Sequence, residues 1–263
     1  MTFIEWLYSE RKEGVVVTSV PWGVLHIVVL LLVISLTIGI SVIFKNKDLK
    51  YKKIVILTIA IGILFFELAR RVINLTRGDL ILPNGNVDWD LVIYRIIPRP
   101  WCAISCWTII ASVIVKRKFL YNFAAMTALL NAVIFFAYPD AGFKNHIAFE
   151  EVYSITTHCL LFIGSISLIT LGFTDFRYNR GKENALYELL CYLIVFLYAA
   201  IEIIFKIEAD PLYFMPGNGI IDIIPLPYPL YVVIYIIFVF GIWSNAFYVI
   251  PIILNKKAKE INL

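Results

Sequence analysis

Residues 21–44 read PWGVLHIVVLLLVISLTIGISVIF, a stretch of 24 residues without a single Asp, Glu, Lys or Arg. An α-helix rises about 1.5 Å per residue, so about 20 apolar residues are enough to cross a hydrocarbon layer of about 30 Å. This stretch therefore predicts a membrane-spanning helix.

The composition of the whole chain agrees with that interpretation. Of 263 residues, 61% are hydrophobic and only 16% are charged, whereas about 25% of the residues in a typical soluble domain are charged. A water-soluble enzyme and a disordered chain are both excluded by this composition. The four cysteines are too few for the dense disulfide framework of a small secreted module.

Six further apolar stretches follow the first. Together they predict an all-α fold, a polytopic bundle of seven transmembrane helices in a single integral membrane domain that covers residues 1–263. Residues 1–20 are expected to form an outer interfacial segment. The expected spans are residues 21–44, 54–73, 97–115, 119–138, 151–173, 186–205 and 229–254.

The distribution of Lys and Arg predicts the orientation of the bundle. The connections on one expected side hold 14 of these residues and the connections on the other side hold five. Cytoplasmic loops are enriched in Lys and Arg, so we expect the N-terminus outside and the C-terminus inside. Abundant Ile, Lys and Asn favour a bacterial source, which makes a bacterial plasma membrane the expected location.

Polar side chains occur at similar depths in five of the expected spans. Counted from the outer ends, they lie about 5 to 10 Å deep at about 1.5 Å per residue. Ionisable groups are costly inside a bilayer, so each is a candidate for function. We therefore expect a cavity that opens outward. The side chains are Glu67, Cys102, Asn131, His158 and Glu202.

Glu67 is followed by Arg70 and Arg71 at the i+3 and i+4 positions, where a carboxylate and a guanidinium share one helix face. One interpretation is a structural ion pair. The other is an anion clamp in which Arg70, Arg71 and Arg99 hold a lipid phosphate near the headgroups. The expected substrate-binding residues are Glu67, Arg70, Arg71, Arg99, Asn131 and Glu202.

Cys102 and His158 are the candidate catalytic residues. Cys102 follows Pro100 and Trp101, which places it in the first turn of a helix, where the dipole favours a thiolate. A histidine at matching depth could act as its base. Buried Cys and His are also common packing residues. A metal site formed by Cys102, Cys106, His158 and Cys159 is disfavoured, because the adjacent helical residues His158 and Cys159 point about 100° apart. Neither a metal nor another cofactor is therefore expected.

Three segments carry a family resemblance. They are Pro98-Arg99-Pro100-Trp101-Cys102, Tyr138-Pro139-Asp140 and the stretch from Phe149 to His158. With these segments the chain resembles the YwaF-like integral membrane family, which is related to the animal transmembrane protein 164. The resemblance implies seven spans, Cys102 as an acyl-accepting nucleophile and His158 as its base.

The leading functional hypothesis is a thiol-dependent lipid acyltransferase or lipid hydrolase that acts from an outward-facing cavity. The alternatives are a non-catalytic binding or transport protein for a small anion or lipid headgroup, and a subunit of a membrane complex. Membrane lipid is the expected partner in the first two cases. No basic run is long enough to indicate a nucleic-acid partner.

Overall fold

The structure is a computed structural model that describes residues 6, 20, 22–76, 78–98, 101–137, 143–144, 147–176, 181–205 and 227–249. Within these ranges the regular structure is helical, and an isolated β-bridge joins Ile81 to Val87. The predicted all-α fold class is therefore confirmed for the described residues.

The helices are numbered here in chain order. The last of them continues directly into a π-helical segment, Ile237–Trp243. Their bounds are α1 Val24–Phe44, α2 Leu49–Leu75, α3 Trp89–Ile96, α4 Trp101–Val115, α5 Lys118–Ala137, α6 Phe149–Thr170, α7 Gly181–Ile204 and α8 Tyr228–Ile236.

Several of these helices have the length and composition of membrane spans. Five segments qualify in the described ranges, from α1, α5, α6, α7 and the α8 region, and α3 with α4 would make a sixth if they form one bent span. α2 is 27 residues long, but every 18-residue stretch within it carries at least three charged residues. The chain is thus a helical bundle with several apolar helices able to cross a membrane. The number of seven spans and their orientation stay predictions.

The third predicted span begins at a different residue in the structure. Its helix starts at Trp101 rather than at residue 97, and the separate helix α3 precedes it at an angle of 57°. The residues of α3 lie between the second and third expected spans, where no helix was predicted. They form a helix because the Asp88 carboxylate accepts a hydrogen bond from the backbone N–H of Leu91 at 3.0 Å, a typical N-cap. The helix ends at Ile96, two residues before Pro98. A residue that directly precedes a proline rarely adopts the helical conformation.

The centre of the bundle is formed by α5 and α6. α5 carries Ala124, Ala128 and Ala132 at four-residue intervals, all fully buried. Small residues with this spacing let helix backbones approach closely inside a membrane. α1, by contrast, has only 11% of its apolar window buried, so it lies at the periphery with most of its aliphatic side chains available to lipid.

Hydrogen bonds between helix termini define two ends of the bundle. Arg70 near the end of α2 pairs with Glu150 at the start of α6. We call this end the pocket end, because a cavity described below lies beside these two residues. At the opposite end, Ser41 of α1 hydrogen bonds to Thr170 of α6 at 3.0 Å. Lys118 at the start of α5 donates to the carbonyls that follow α6. α2 therefore runs toward the pocket end, whereas α1 and α6 run away from it.

A buried polar cluster closes the opposite end. The Asn122 amide of α5 donates to the Glu188 carboxylate of α7 at 3.0 Å, and the Tyr248 hydroxyl also donates to Glu188. The backbone N–H of Asp175 donates to the Asn122 side-chain oxygen at 2.8 Å. These bonds satisfy polar groups that would be costly in hydrocarbon, and they join α5, α7 and the helical residues 244–249 that follow the π-helical segment.

Gly164 of α6 allows a close approach that a larger residue would prevent. A Cβ atom at this position would lie 3.2 Å from side-chain atoms of both Ile59 and Ile109. We expect Gly164→Val to lower the free energy of unfolding by about 1–3 kcal/mol through overpacking. Thermal unfolding of the purified protein in detergent micelles measures this effect as a lower Tm.

Gly39→Val is the matched control for this prediction. Gly39 is also helical, but a Cβ atom there meets nothing within 4 Å. Its Tm should stay within about one degree of the wild type, because the added methyl groups contact only lipid or detergent. Equal Tm values for the two variants would contradict the packing described for α6.

Candidate functional site

The carboxylate of Glu67 is the centre of a polar cluster at the pocket end. Glu67 lies on α2 and is fully buried. It accepts hydrogen bonds from Arg71 Nη1 at 2.6 Å, from Trp107 Nε1 of α4 at 3.1 Å and from the Tyr153 hydroxyl of α6. A buried carboxylate is tolerated only when it is paired and hydrogen-bonded. Glu67 therefore joins three helices.

Arg70 and Arg71 follow Glu67 but have different partners. Arg70 Nε donates to Glu150 at 3.1 Å, whereas Arg71 Nε donates to the carbonyl of Ile96 at 2.8 Å. The expected pairing of Glu67 with one arginine is thus made by Arg71, at the i+4 position. The carbonyl contact also connects the end of α3 to α2.

Arg95 is a third arginine at this end, in the last turn of α3. Its guanidinium forms a two-point ion pair with the Asp79 carboxylate, and one of these bonds measures 2.8 Å. Arg95 Nη1 also donates to the carbonyl of Asn74 at 2.6 Å. These contacts hold α3 across the end of α2.

The three arginines border one cavity of about 220 Å³. It lies where the end of α2, the helix α3 and the first turn of α6 meet. This volume is below the range of about 300–1,000 Å³ that is typical for drug-sized ligands, so the pocket suits a small polar group. The lining residues are Arg70, Arg71, Asn74, Leu91, Tyr94, Arg95, Ile97 and Glu150.

Guanidinium hydrogens remain in the pocket after these pairings. A guanidinium has five N–H donors. In the described part of the chain, the hydrogen bond of Arg70 uses Nε, and those of Arg71 use Nε and Nη1. The outer amino groups of Arg70 and one amino group of Arg71 are therefore available to a bound anion. Arg70 is also well placed because its side chain is 27% exposed.

Cys102 lies at the pocket end, as expected. It is the second residue of α4 and is half-buried. Its thiol therefore lies in the first turn of a helix, at the end of the bundle that also holds the arginines.

His158 lies on α6, and its ring is held from two sides. Nδ1 is 2.7 Å from the carbonyl oxygen of Ser154, and the ring stacks on Phe135 with centroids 3.9 Å apart. Because a carbonyl only accepts, Nδ1 carries the hydrogen and Nε2 is the nitrogen that would act as a base. No hydrogen bond joins Cys102 to His158 among the contacts of the described residues. Their catalytic pairing stays a prediction.

The other expected binding residues that the structure describes, Asn131 and Glu202, do not line the pocket. Asn131 donates to Ser105 Oγ of α4 at 2.7 Å and to the carbonyl of Thr127 at 2.9 Å, so both amide hydrogens already bind helices. Glu202 is fully buried on α7. Arg99 lies outside the described residues.

Arg95 and Glu150 line the pocket but were not predicted from the sequence. Arg95 was counted as a loop charge, although Asp88 three residues before Leu91 gives a recognisable N-cap signal for the helix that carries it. Glu150 precedes an apolar stretch, where an acidic residue in the first turn is common. Its contact with Arg70, 80 residues away, has no local signal.

The fold and the pocket define a helical bundle with membrane-spanning character and an arginine-lined pocket at one end. No protein-family model, no curated protein and no solved structure matches the chain. Within the described ranges, no group of three or more His, Cys, Asp or Glu side chains could hold a metal ion.

Removal of the Glu67 carboxylate should destabilise the bundle strongly. Glu67→Leu leaves the Arg71 charge in a buried position, which typically costs about 3–5 kcal/mol. Equilibrium unfolding in mixed micelles measures this change. The double variant Glu67→Leu/Arg71→Leu should recover part of the lost free energy, because it removes both charges.

Glu150→Leu is the control, since it removes the same charge from a half-exposed pair with Arg70. An ion pair with this exposure contributes under about 1 kcal/mol. If Glu67→Leu were no more destabilising than Glu150→Leu, the central position of Glu67 would be refuted.

Proposed function

We propose that this chain is a seven-span plasma-membrane protein that binds the phosphate group of a membrane lipid or a small anion in the pocket lined by Arg70, Arg71 and Arg95. The observation that carries the proposal is the convergence of three guanidinium groups on one cavity of about 220 Å³. Arginine forms bidentate hydrogen bonds with phosphate, which makes it the preferred residue for phosphate recognition.

The surroundings of the pocket favour a lipid over a soluble anion. α3 borders the pocket and exposes the apolar side chains of Trp89, Ile93 and Ile96. Short helices with exposed aromatic and aliphatic residues are typical of the membrane interface. A lipid headgroup would therefore reach the arginines from the leaflet beside α3. The Lys and Arg distribution supports an outward-facing pocket end.

Binding of a short-chain phospholipid tests this function. Dihexanoyl phosphatidate should bind the purified protein in neutral detergent, and Arg70→Gln and Arg95→Gln should each weaken binding about tenfold or more, as expected for a lost charge-assisted contact of about 1.5–3 kcal/mol. Titration calorimetry measures the affinities. Inorganic phosphate, titrated in parallel, distinguishes a lipid site from a small-anion site.

Arg117→Gln is the matched control, because Arg117 is exposed in the turn between α4 and α5 at the opposite end. The Arg117→Gln variant should bind dihexanoyl phosphatidate with the same affinity as the wild type. Absence of binding by the wild type, or equal weakening by Arg117→Gln, would refute the pocket as the site.

A second candidate function is thiol-dependent acyl transfer, supported by the position of the half-buried Cys102 in the first turn of α4 at the pocket end and by the resemblance to the YwaF-like family. His158 Nε2 would take the thiol proton, and the thiolate would attack the ester carbonyl of a bound lipid. The ester C–O bond breaks, the leaving alkoxide takes the proton from the imidazolium, and a thioester forms. A lysolipid hydroxyl or water then releases the acyl chain by the reverse steps.

Acyl exchange between labelled phospholipids in proteoliposomes tests this chemistry. Cys102→Ala and His158→Ala should each abolish exchange, because nucleophile and base act as a unit. Cys191→Ala is the control, a half-buried cysteine on α7, and should keep the wild-type rate. If the wild type binds phosphatidate and Cys102→Ala exchanges acyl chains at the wild-type rate, acyl transfer by Cys102 is refuted and only the binding function remains.

A further inference from the structure

Two aromatic rings lie against the two arginines of α2. The guanidinium carbon of Arg70 is 4.8 Å from the centroid of the Tyr153 ring, and that of Arg71 is 5.2 Å from the centroid of the Trp107 ring. Both distances are within the limit of about 6 Å for a cation–π interaction.

The same two rings also hold Glu67. Trp107 donates to its carboxylate through Nε1 and Tyr153 donates through its hydroxyl. Each ring therefore has its polar edge fixed on a buried carboxylate while its face lies beneath an arginine. The hydrogen bond made by the edge and the contact made by the face are therefore two separate interactions of each ring.

This arrangement solves a geometric problem of α2. Adjacent residues on a helix point about 100° apart, yet Arg70 and Arg71 both line one pocket. Their long side chains must bend toward each other, which costs conformational entropy. A ring beneath each guanidinium reduces that cost because it supports the bent arrangement before a ligand arrives.

We infer that Trp107 and Tyr153 are positioning residues for anion binding, which orient the guanidinium groups of Arg71 and Arg70 toward a shared phosphate. The inference rests on the proposed function. A ring orients a guanidinium without cancelling its charge, because the ring is neutral and attracts the cation through its quadrupole.

Paired substitutions separate the ring face from the hydrogen bond. Tyr153→Phe and Trp107→Phe keep a ring beneath the arginine but lose the donor to Glu67, whereas Tyr153→Leu and Trp107→Leu lose both. With dihexanoyl phosphatidate as the probe, we expect the Leu variants to bind about fivefold or more weakly than the wild type. The Phe variants should stay within about threefold of it.

Tyr121→Leu is the control for loss of a buried aromatic residue. Tyr121 lies at the opposite end of the bundle, against Phe173. The Tyr121→Leu variant should have a lower Tm than the wild type and the same affinity for dihexanoyl phosphatidate. Thermal unfolding of every variant shows which proteins are folded. If a Leu variant does not fold, Tyr153→Met or Trp107→Met, which also lacks the ring, takes its place with the same expected loss of affinity.

The outcomes distinguish the two proposals. A wild type that does not bind phosphatidate overturns the proposed function, and the positioning role with it. A wild type that binds, with Leu variants of equal affinity, overturns only the positioning role. Phe variants as weak as the Leu variants also overturn it, because the ring face would then contribute nothing.

Discussion

The buried carboxylate of Glu67 is the interaction on which the pocket end depends. Its donors come from α2, α4 and α6, so a single side chain fixes the relative positions of three helices. A carboxylate in an apolar environment cannot remain without donors, which makes these contacts mandatory rather than incidental. Because Arg71 is one of the donors, the same requirement places a guanidinium beside the cavity.

Charge balance explains how three arginines coexist in so small a volume. Each has an acidic partner, with Glu67 beside Arg71, and Glu150 and Asp79 beside Arg70 and Arg95. The pairs keep the cavity near neutrality without a ligand, and the remaining guanidinium hydrogens are the donors that the proposed anion would use. The empty cavity is thus compatible with a stable bundle.

The sequence predicted those features that depend on local properties. Helices such as α1 follow from the length and apolarity of their own residues, and the contact between Glu67 and Arg71 follows from their i+4 spacing. The contacts of Glu67 with Trp107 and Tyr153 could not be predicted, because they depend on how α4 and α6 pack against α2. Arg95 was missed for a different reason, since the short helix that carries it was interpreted as a loop.

A direct measurement of the arginine–phosphate contact tests the central claim. With ¹⁵N-labelled arginine and dihexanoyl phosphatidate bound to the protein in lipid, solid-state NMR can detect dipolar dephasing between ³¹P and guanidinium ¹⁵N. We expect a contact within about 5 Å, the range of a direct hydrogen bond between these groups, that weakens in Arg70→Gln and persists in Arg117→Gln. Dephasing that is absent from the wild type, or the same in both variants, would contradict a phosphate site formed by these arginines.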